Sequence, residues 1–363
     1  MRPERDQIEV CVFGPGYGEC TILHLGDDNW IVVDSCKNSV TKRPVSIEYF
    51  ESIGVPLDHV RLVVATHWHD DHVRGLAEQL NAFSKAKFCC SGALTNKEFL
   101  ATVVAYDQGH NIRGGSGVSE VLNVMEILAA RSSPMRASPN RPVLTLEASN
   151  DLPKRVVCTL SPSDRQFDRF LAQLATFLPV PLETKTRMPD QAPNHLSVVI
   201  HVTIGDQAIL LGADLEERGV SDLGWSAIVC DCNRPRNFAQ IFKIPHHGSQ
   251  NGHCDAVWTD MLVPNPVSIL TPWNRSNGLP TQSDVERIVD HTHSGFCTSS
   301  LSRRPRTRAY HVEKQIRETV RRIRPVQFET GWVRLRNGGS VNPSMWCIET
   351  SDEACALSEW RAV

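Results

Sequence analysis

The sequence predicts an α/β fold, on three observations. Short β-branched runs alternate with stretches of helical spacing, a two-residue hairpin signal sits past the middle of the chain, and the densest group of ionisable residues lies where a strand passes into a helix. At 363 residues and 41% hydrophobic content the chain can bury a substantial core, as one large domain or two smaller ones.

The elements follow in chain order. Ile8 to Phe13 alternates and reads as a strand, and the turn-rich FGPGYGE ends it. Cys20 to Leu25 and Trp30 to Asp34 read as a hairpin around Gly26-Asp27-Asp28-Asn29. A helix is expected over Val45 to Ile53, closed by Gly54. Arg61 to Ala65 is short, β-branched and bounded by polar residues, so it reads as a buried strand, and Val73 to Phe83 has the spacing of one helix. The glycine-rich stretch 105–117, and 178–193 with Pro179, Pro181, Pro189 and Pro193, read as loops that could wall a pocket. Leu196 to Ile204 and Ala208 to Gly212 flank Gly205-Asp206 as a hairpin whose second strand runs into Ala213-Asp214. A helix-like stretch and then FKIPHHGS, Phe242 to Ser249, come next. The tail from Val326, with Trp332, Trp346 and Trp360, is expected to add strands to the core rather than form an interface.

Composition excludes several classes. The N-terminus is charged, and no window of about 18 apolar residues occurs, so neither export nor a membrane span is expected and the location is read as cytoplasmic. The twelve cysteines contain no C-x-x-C pair and are read as reduced, mostly buried thiols, with Cys230 and Cys232 weak candidates for a soft metal. The net charge of −3 hides a basic stripe at 303–324, nine Lys or Arg against two Glu, a local +7 that leaves −10 elsewhere. Such a stripe suits phosphate, although a solvated helix face is the simpler account of it.

The stretch THWHDDH, Thr66 to His72, carries the chemistry. In extended chain alternate residues project to one side, so His67, His69 and Asp71 can converge while His72 turns inward at the helix start. Imidazole and carboxylate are the donors that zinc and similar divalent ions take. Four such residues at this spacing outweigh the reading of a satisfied core histidine.

With these motifs the chain resembles the metallo-β-lactamase superfamily: Phe13 to Glu19, the strand ending at Asp34, THWHDDHVRGL, LLGADLE and KIPHHGS occur in the order that fold requires. The last two, with Gly16-Tyr-Gly-Glu19 and Asn194-His-Leu-Ser197, look like the hydrolase-like domain of competence DNA-uptake channels and its stand-alone soluble relatives. The resemblance implies a four-layer αββα sandwich of two mixed sheets over 1–300, with 301–363 a basic helix and extension on the same domain. It also implies two divalent ions, zinc by expectation and manganese or iron as alternatives.

By the same resemblance His67 and His69 belong to a first metal site, Asp71 and His72 to a second, and Asp214 bridges them. His247, in preference to His246, completes the second, and Asp34 orients the cluster from behind. His195 stands where the first site often has a further histidine, as a ligand or a pocket residue. The Gly248 amide and Ser249 are candidates for a substrate oxygen, or for a plain turn. Leu279 stands before Pro280, where that branch often has histidine.

The expected function is a metal-dependent hydrolase, a phosphodiesterase or nuclease in which Asp71, Asp214 and His247 work on metal-activated water and the partner is a nucleic acid or nucleotide. A hydrolase of small esters, thioesters or lactones is the alternative enzyme, and a metal-stabilised sensor the non-enzymatic one.

Overall fold

The computed structural model describes residues 1–14, 17–95, 117–131, 133–149, 152–175, 193–275, 278–300, 310–320, 330–340 and 345–360. Among the described residues, sixteen strands fall into two mixed sheets of eight. The first sheet contains β1 (Ile8–Gly14), β2 (Cys20–Leu25), β3 (Trp30–Val33), β4 (Val60–Ala65), β5 (Lys87–Ser91) and β6 (Met135–Ala137), with β14 (Gly331–Asn337) and β15 (Cys347–Thr350) on its other side. Its order is β15-β14-β1-β2-β3-β4-β5-β6. The second contains β7 (Arg141–Leu146), β8 (Arg155–Thr159), β9 (Ile200–Ile204), β10 (Gln207–Leu211), β11 (Ala239–Lys243), β12 (Leu262–Leu270), β13 (Gly295–Cys297) and β16 (Cys355–Ala356). Its order is β16-β13-β12-β11-β10-β9-β8-β7. Strands β3 to β6 run parallel, as do β10 to β13.

Three apolar cores separate four layers. Val10, Leu23, Ile31 and Leu62 of the first sheet meet Val157, Val202, Ile209 and Ile241 of the second between the sheets. The opposite face of the first sheet, with Ile22, Val32 and Val63, is covered by α1 (Val45–Ile53), α3 (Leu76–Ala82), α4 (Gly117–Ala129) and α5 (Asp164–Ala175). The outer face of the second, with Ala208, Leu210 and Phe242, is covered by α6 (Gly224–Cys230), α7 (Asp255–Asp260) and α8 (Gln282–Val289). This is why the strands read as continuous apolar runs: β1, β2 and β3 are buried at every position, as strands covered on both faces must be. The αββα sandwich expected from the sequence is the fold.

Most expected elements stand where the sequence puts them. The helix over 45–53 ends on Gly54 in the left-handed region, φ 69°, and Gly205-Asp206 joins β9 to β10 with Gln207 paired to Ile204. Three expectations need correction. The single helix over Val73 to Phe83 is two: α2 (Asp70–Val73) and α3 are parted by Gly75 at φ 84°, where a Cβ would meet Lys37 Cε at 2.8 Å. The strand expected from Leu196 starts at Ile200, because the backbone before it is used elsewhere. Pro193–Leu196 is a 3-10 turn, and Val198 N–H donates to Thr66 O at 3.1 Å. Asp34 lies beyond the strand it was expected to end, turned out at φ 60°.

The tail contributes β14 beside β1 and β16 beside β13. The twelve cysteines are free thiols, seven of them buried. Among the described residues no helix is long and apolar enough to cross a membrane. The glycine-rich loop 105–116, the proline-interrupted 178–192 and both ends of the basic stripe lie outside the described residues. What is described of the stripe is α9 (Tyr310–Thr319), where Lys314 faces Glu318 at 4.0 Å on an exposed surface.

Candidate metal centre

The candidate residues sit beyond the carboxyl ends of adjacent parallel strands, where open α/β sheets bind their ligands. Asp34 follows β3, His67 follows β4, Asp214 follows β10 and His247 follows β11. The backbone there is unusual. Asp34, Ala213, His246 and His247 all have φ between 46° and 60°, a region that costs a non-glycine residue roughly 1 kcal/mol or more. Tertiary bonds hold these turns: Asp34 N–H donates to Val64 O at 2.8 Å, and His246 N–H and Lys243 Nζ each donate to Ala213 O at 3.0 Å.

Two donor groups meet at Asp214. Asp71, His72, Asp214 and His247, all buried, form one; His67, His69 and Asp214 form the other. In the first, His72 Nε2 lies 3.5 Å from Asp71 Oδ2 and 3.4 Å from Asp214 Oδ1, while His247 Nε2 lies 3.2 Å from Asp71 Oδ2 and 3.5 Å from Asp214 Oδ2. Donors placed tetrahedrally about 2.0–2.1 Å from a zinc ion stand about 3.3–3.5 Å apart, so these spacings suit a shared cation. In the second, His67 Nε2 is 3.2 Å from His69 Nδ1 and 3.9 Å from Asp214 Oδ2.

The donors fit a cation by a second criterion. Both oxygens of Asp71, His72 Nε2 and Asp214 Oδ1 are buried without a hydrogen-bond partner. A polar atom left so costs about 1–3 kcal/mol, and four converging on one point ask for a common positive charge.

The histidines are presented in one tautomer by what holds their far sides. His72 Nδ1 is 2.7 Å from Asp34 Oδ2, and His247 Nδ1 is 3.0 Å from Thr271 O. His67 Nδ1 is 3.0 Å from Thr66 Oγ1, which itself donates to Asp34 Oδ2 at 2.7 Å. In each ring Nδ1–H is used behind, which leaves the Nε2 lone pair facing forward.

The electrostatics agree. Burial opposes charge on His247, but Asp214 and Asp71 outweigh it and push the imidazole up to about 9. His72 is likewise raised against its burial by Asp214, Asp71 and Asp34. Burial, with His72 and His69 beside it, drives His67 down. Asp214 is buried, yet His72 and His247 hold its carboxyl well below the usual range. Protons and divalent cations compete for such atoms.

Several residues behind the donors escaped sequence reasoning. Lys243 is buried, 2.6 Å from Glu19 and 3.9 Å from Asp214 Oδ1. Thr271 Oγ1 donates to the same Glu19 oxygen at 2.6 Å, and Glu19 N–H donates to Asp71 O at 2.8 Å. Glu19 and Lys243 lie inside the motifs that carry the resemblance; a lysine among apolar strand residues is the signal that could have singled out Lys243. Thr271 has no local signal.

Other candidates are not brought into the donor groups. His195 Nε2 faces Glu216 Oε2 at 3.1 Å and Arg218 Nη1 at 2.5 Å, so that nitrogen is engaged away from the centre. His246 faces Asn194 Nδ2 at 3.1 Å and Glu216 Oε1 at 3.6 Å, and of the adjacent pair it is His247 that reaches the donors. Ser249 is a turn residue: its N–H donates to His246 O and the Gly248 N–H to Pro245 O, so neither amide is left for a substrate oxygen. Leu279 bonds Trp273 through both backbone groups, closing a short loop. Cys230 and Cys232 are exposed and belong to no donor group among the described residues.

Residues 13–153, which include β2 to β7 and THWHDDH, match the family model of the metallo-beta-lactamase superfamily. That stretch resembles the metallo-β-lactamase superfamily. The match names the superfamily and does not extend to the competence-channel branch. Similar solved structures include the metallo-beta-lactamase fold protein YhfI from Bacillus subtilis, at 13% identity and TM-score 0.32, covering 65% of this chain and 70% of that one. A metallo-beta-lactamase from Cronobacter sakazakii, solved as a HARLDQ motif mutant, is similar at 15% identity and TM-score 0.33, over 58% of this chain and 63% of its own. A protein from Thermotoga maritima is similar at 14% identity and TM-score 0.31, over 54% of this chain and 67% of that one. The chain thus spans less than two thirds of the Cronobacter protein. No curated protein matches it. The convergent donors form a candidate metal site on this αββα fold.

Proposed function

We propose that this protein is a metal-dependent hydrolase of the metallo-β-lactamase superfamily, a phosphodiesterase or nuclease working with two divalent ions, zinc first and manganese or iron as alternatives. The observation that carries the reading is Asp214, whose carboxylate belongs to both donor groups: Oδ1 lies toward His72 and Oδ2 toward His247 of the first, and Oδ2 also lies toward His67 of the second. A pair of divalent ions held in this way acidifies a water and neutralises charge on a phosphoryl oxygen.

The chain's own residues divide the remaining work. Asp71, His72, Asp214 and His247 supply four donors, as a closed site has; His67, His69 and Asp214 supply three, which leaves a position for water or substrate. Asp71 would accept a hydrogen bond from that water, and Asp34 and Thr271 hold His72 and His247 with Nε2 facing the donor group. No serine or cysteine nucleophile is required. The test is incubation of zinc- or manganese-loaded protein with single-stranded DNA, duplex DNA, RNA and cyclic nucleotides. Cleavage at least about a thousandfold above an Asp214→Ala control supports the reading; cleavage no faster than that control on every substrate removes it.

A further inference from the structure

Four residues from three distant parts of the chain form a rim beside the donors. Trp273 lies with its ring centroid 5.4 Å from that of His247 and 5.1 Å from that of Tyr17. Above Tyr17 stand two guanidiniums, Arg275 Cζ at 3.4 Å from the ring centroid and Arg74 Cζ at 5.0 Å. The Tyr17 phenol is pushed up by burial and by Asp70 and Asp71, and pulled back by Arg275 and Arg74, which places the rim within electrostatic reach of the donors.

The rim is built rather than draped. Trp273 and Leu279 exchange both backbone hydrogen bonds, at 2.9 and 2.8 Å, and Gly278 N–H donates to Arg275 O at 2.9 Å, so the backbones of Trp273 and Arg275 are both held. Tyr17 and Trp273 are only half-buried. Arg275 is exposed and has no carboxylate partner among the described residues; Arg74 has Asp70 at a distant 3.9 Å.

From this juxtaposition we infer that Tyr17, Trp273, Arg275 and Arg74 form a subsite for a nucleobase and its phosphate, so that the substrate is a nucleotide or nucleic acid rather than a base-free diester. Aromatic faces take any base by stacking, and a guanidinium takes the phosphate. Trp273 lies beside His247, and the guanidiniums follow over Tyr17, so the rim borders the donor cluster. The inference rests on the phosphodiesterase reading for its substrate class, but binding can be measured without turnover.

The experiment titrates zinc-loaded protein calorimetrically with adenosine 5′-monophosphate, ribose 5-phosphate and adenosine. Trp273→Ala is expected to weaken the nucleotide by about tenfold and ribose 5-phosphate by less than about twofold, and Trp273→Phe to restore most of the loss. Arg275→Ala is expected to weaken both phosphates and leave adenosine unchanged. Equal losses for nucleotide and sugar phosphate in Trp273→Ala, or a nucleotide that binds no tighter than ribose 5-phosphate to the parent protein, overturn the subsite. If the binding pattern holds while no diester is cleaved, the subsite stands and the phosphodiesterase reading falls.

Discussion

His72 and Asp34 are joined over 2.7 Å through Nδ1, and this bond settles which imidazole nitrogen faces Asp71 and Asp214. Asp34 is fully buried, and its other bonds come from Thr66 N–H and Thr66 Oγ1, each at 2.7 Å. Asp34→Asn keeps the shape but replaces an acceptor by an amide that can present a donor to Nδ1. Zinc affinity, measured by competition with a chelating dye, is expected to fall about 10- to 100-fold, as for other groups that orient a ligand. An unchanged affinity in a folded Asp34→Asn protein would show the bond to be incidental.

Asp214 takes part in both donor groups, so its loss should disturb both. Asp214→Ala is expected to carry less metal per chain than the parent by mass spectrometry under native conditions. Dialysis against a chelator should lower the unfolding temperature of the parent, because a cation at about a thousand times its Kd adds about 4 kcal/mol to the folded state. Added zinc should reverse this in the parent and do little in Asp214→Ala.

His195 offers the opposite expectation. Its Nε2 is directed to Glu216 and Arg218, so His195→Ala should leave metal stoichiometry as it was. A drop of one ion per chain would return His195 to the ligand set.

The Lys243–Glu19 pair is buried at both ends, with side chains 1% and 4% exposed. Removing one partner strands a charge, and Lys243→Met alone is expected to cost about 3–5 kcal/mol in urea unfolding. Pairing it with Glu19→Gln should recover part of that loss. A double variant as unstable as the sum of its single ones would mean the two groups are not coupled.

Two histidines outside the centre set an acid limit. Burial pushes His24 and His201 down from 6.5 to about 4. Between those values the unfolded chain binds protons that the folded one refuses, so stability is full above about pH 6.5 and falls as pH drops toward 4. Each contributes up to about 3 kcal/mol to that fall. His24 stacks on Trp30 at 4.5 Å, so His24→Phe keeps a ring there while removing the titration. The loss of unfolding temperature between pH 7 and 5 should shrink in that variant; an identical loss would assign the acid limit elsewhere.

Much of this was readable without coordinates. Strands covered on both faces announce themselves as apolar runs, and THWHDDH gathers His67, His69, Asp71 and His72 within a few residues, because neighbours in sequence are neighbours in space at a strand-to-helix turn. The likeness in motif order placed Asp34, Asp214 and His247 beside them. What the linear chain did not disclose depends on long-range packing. That His195 turns to Glu216, and that Thr271 and Lys243 brace the centre, follow from how β10, β11 and β12 lie side by side. The break at Gly75 likewise follows from the closeness of Lys37 and Pro44, which only the folded chain brings near. Local sequence determined which residues could donate to a cation; the meeting of strand ends from two sheets decided which of them do so together, since donors distant along the chain converge only when the backbone between them has packed.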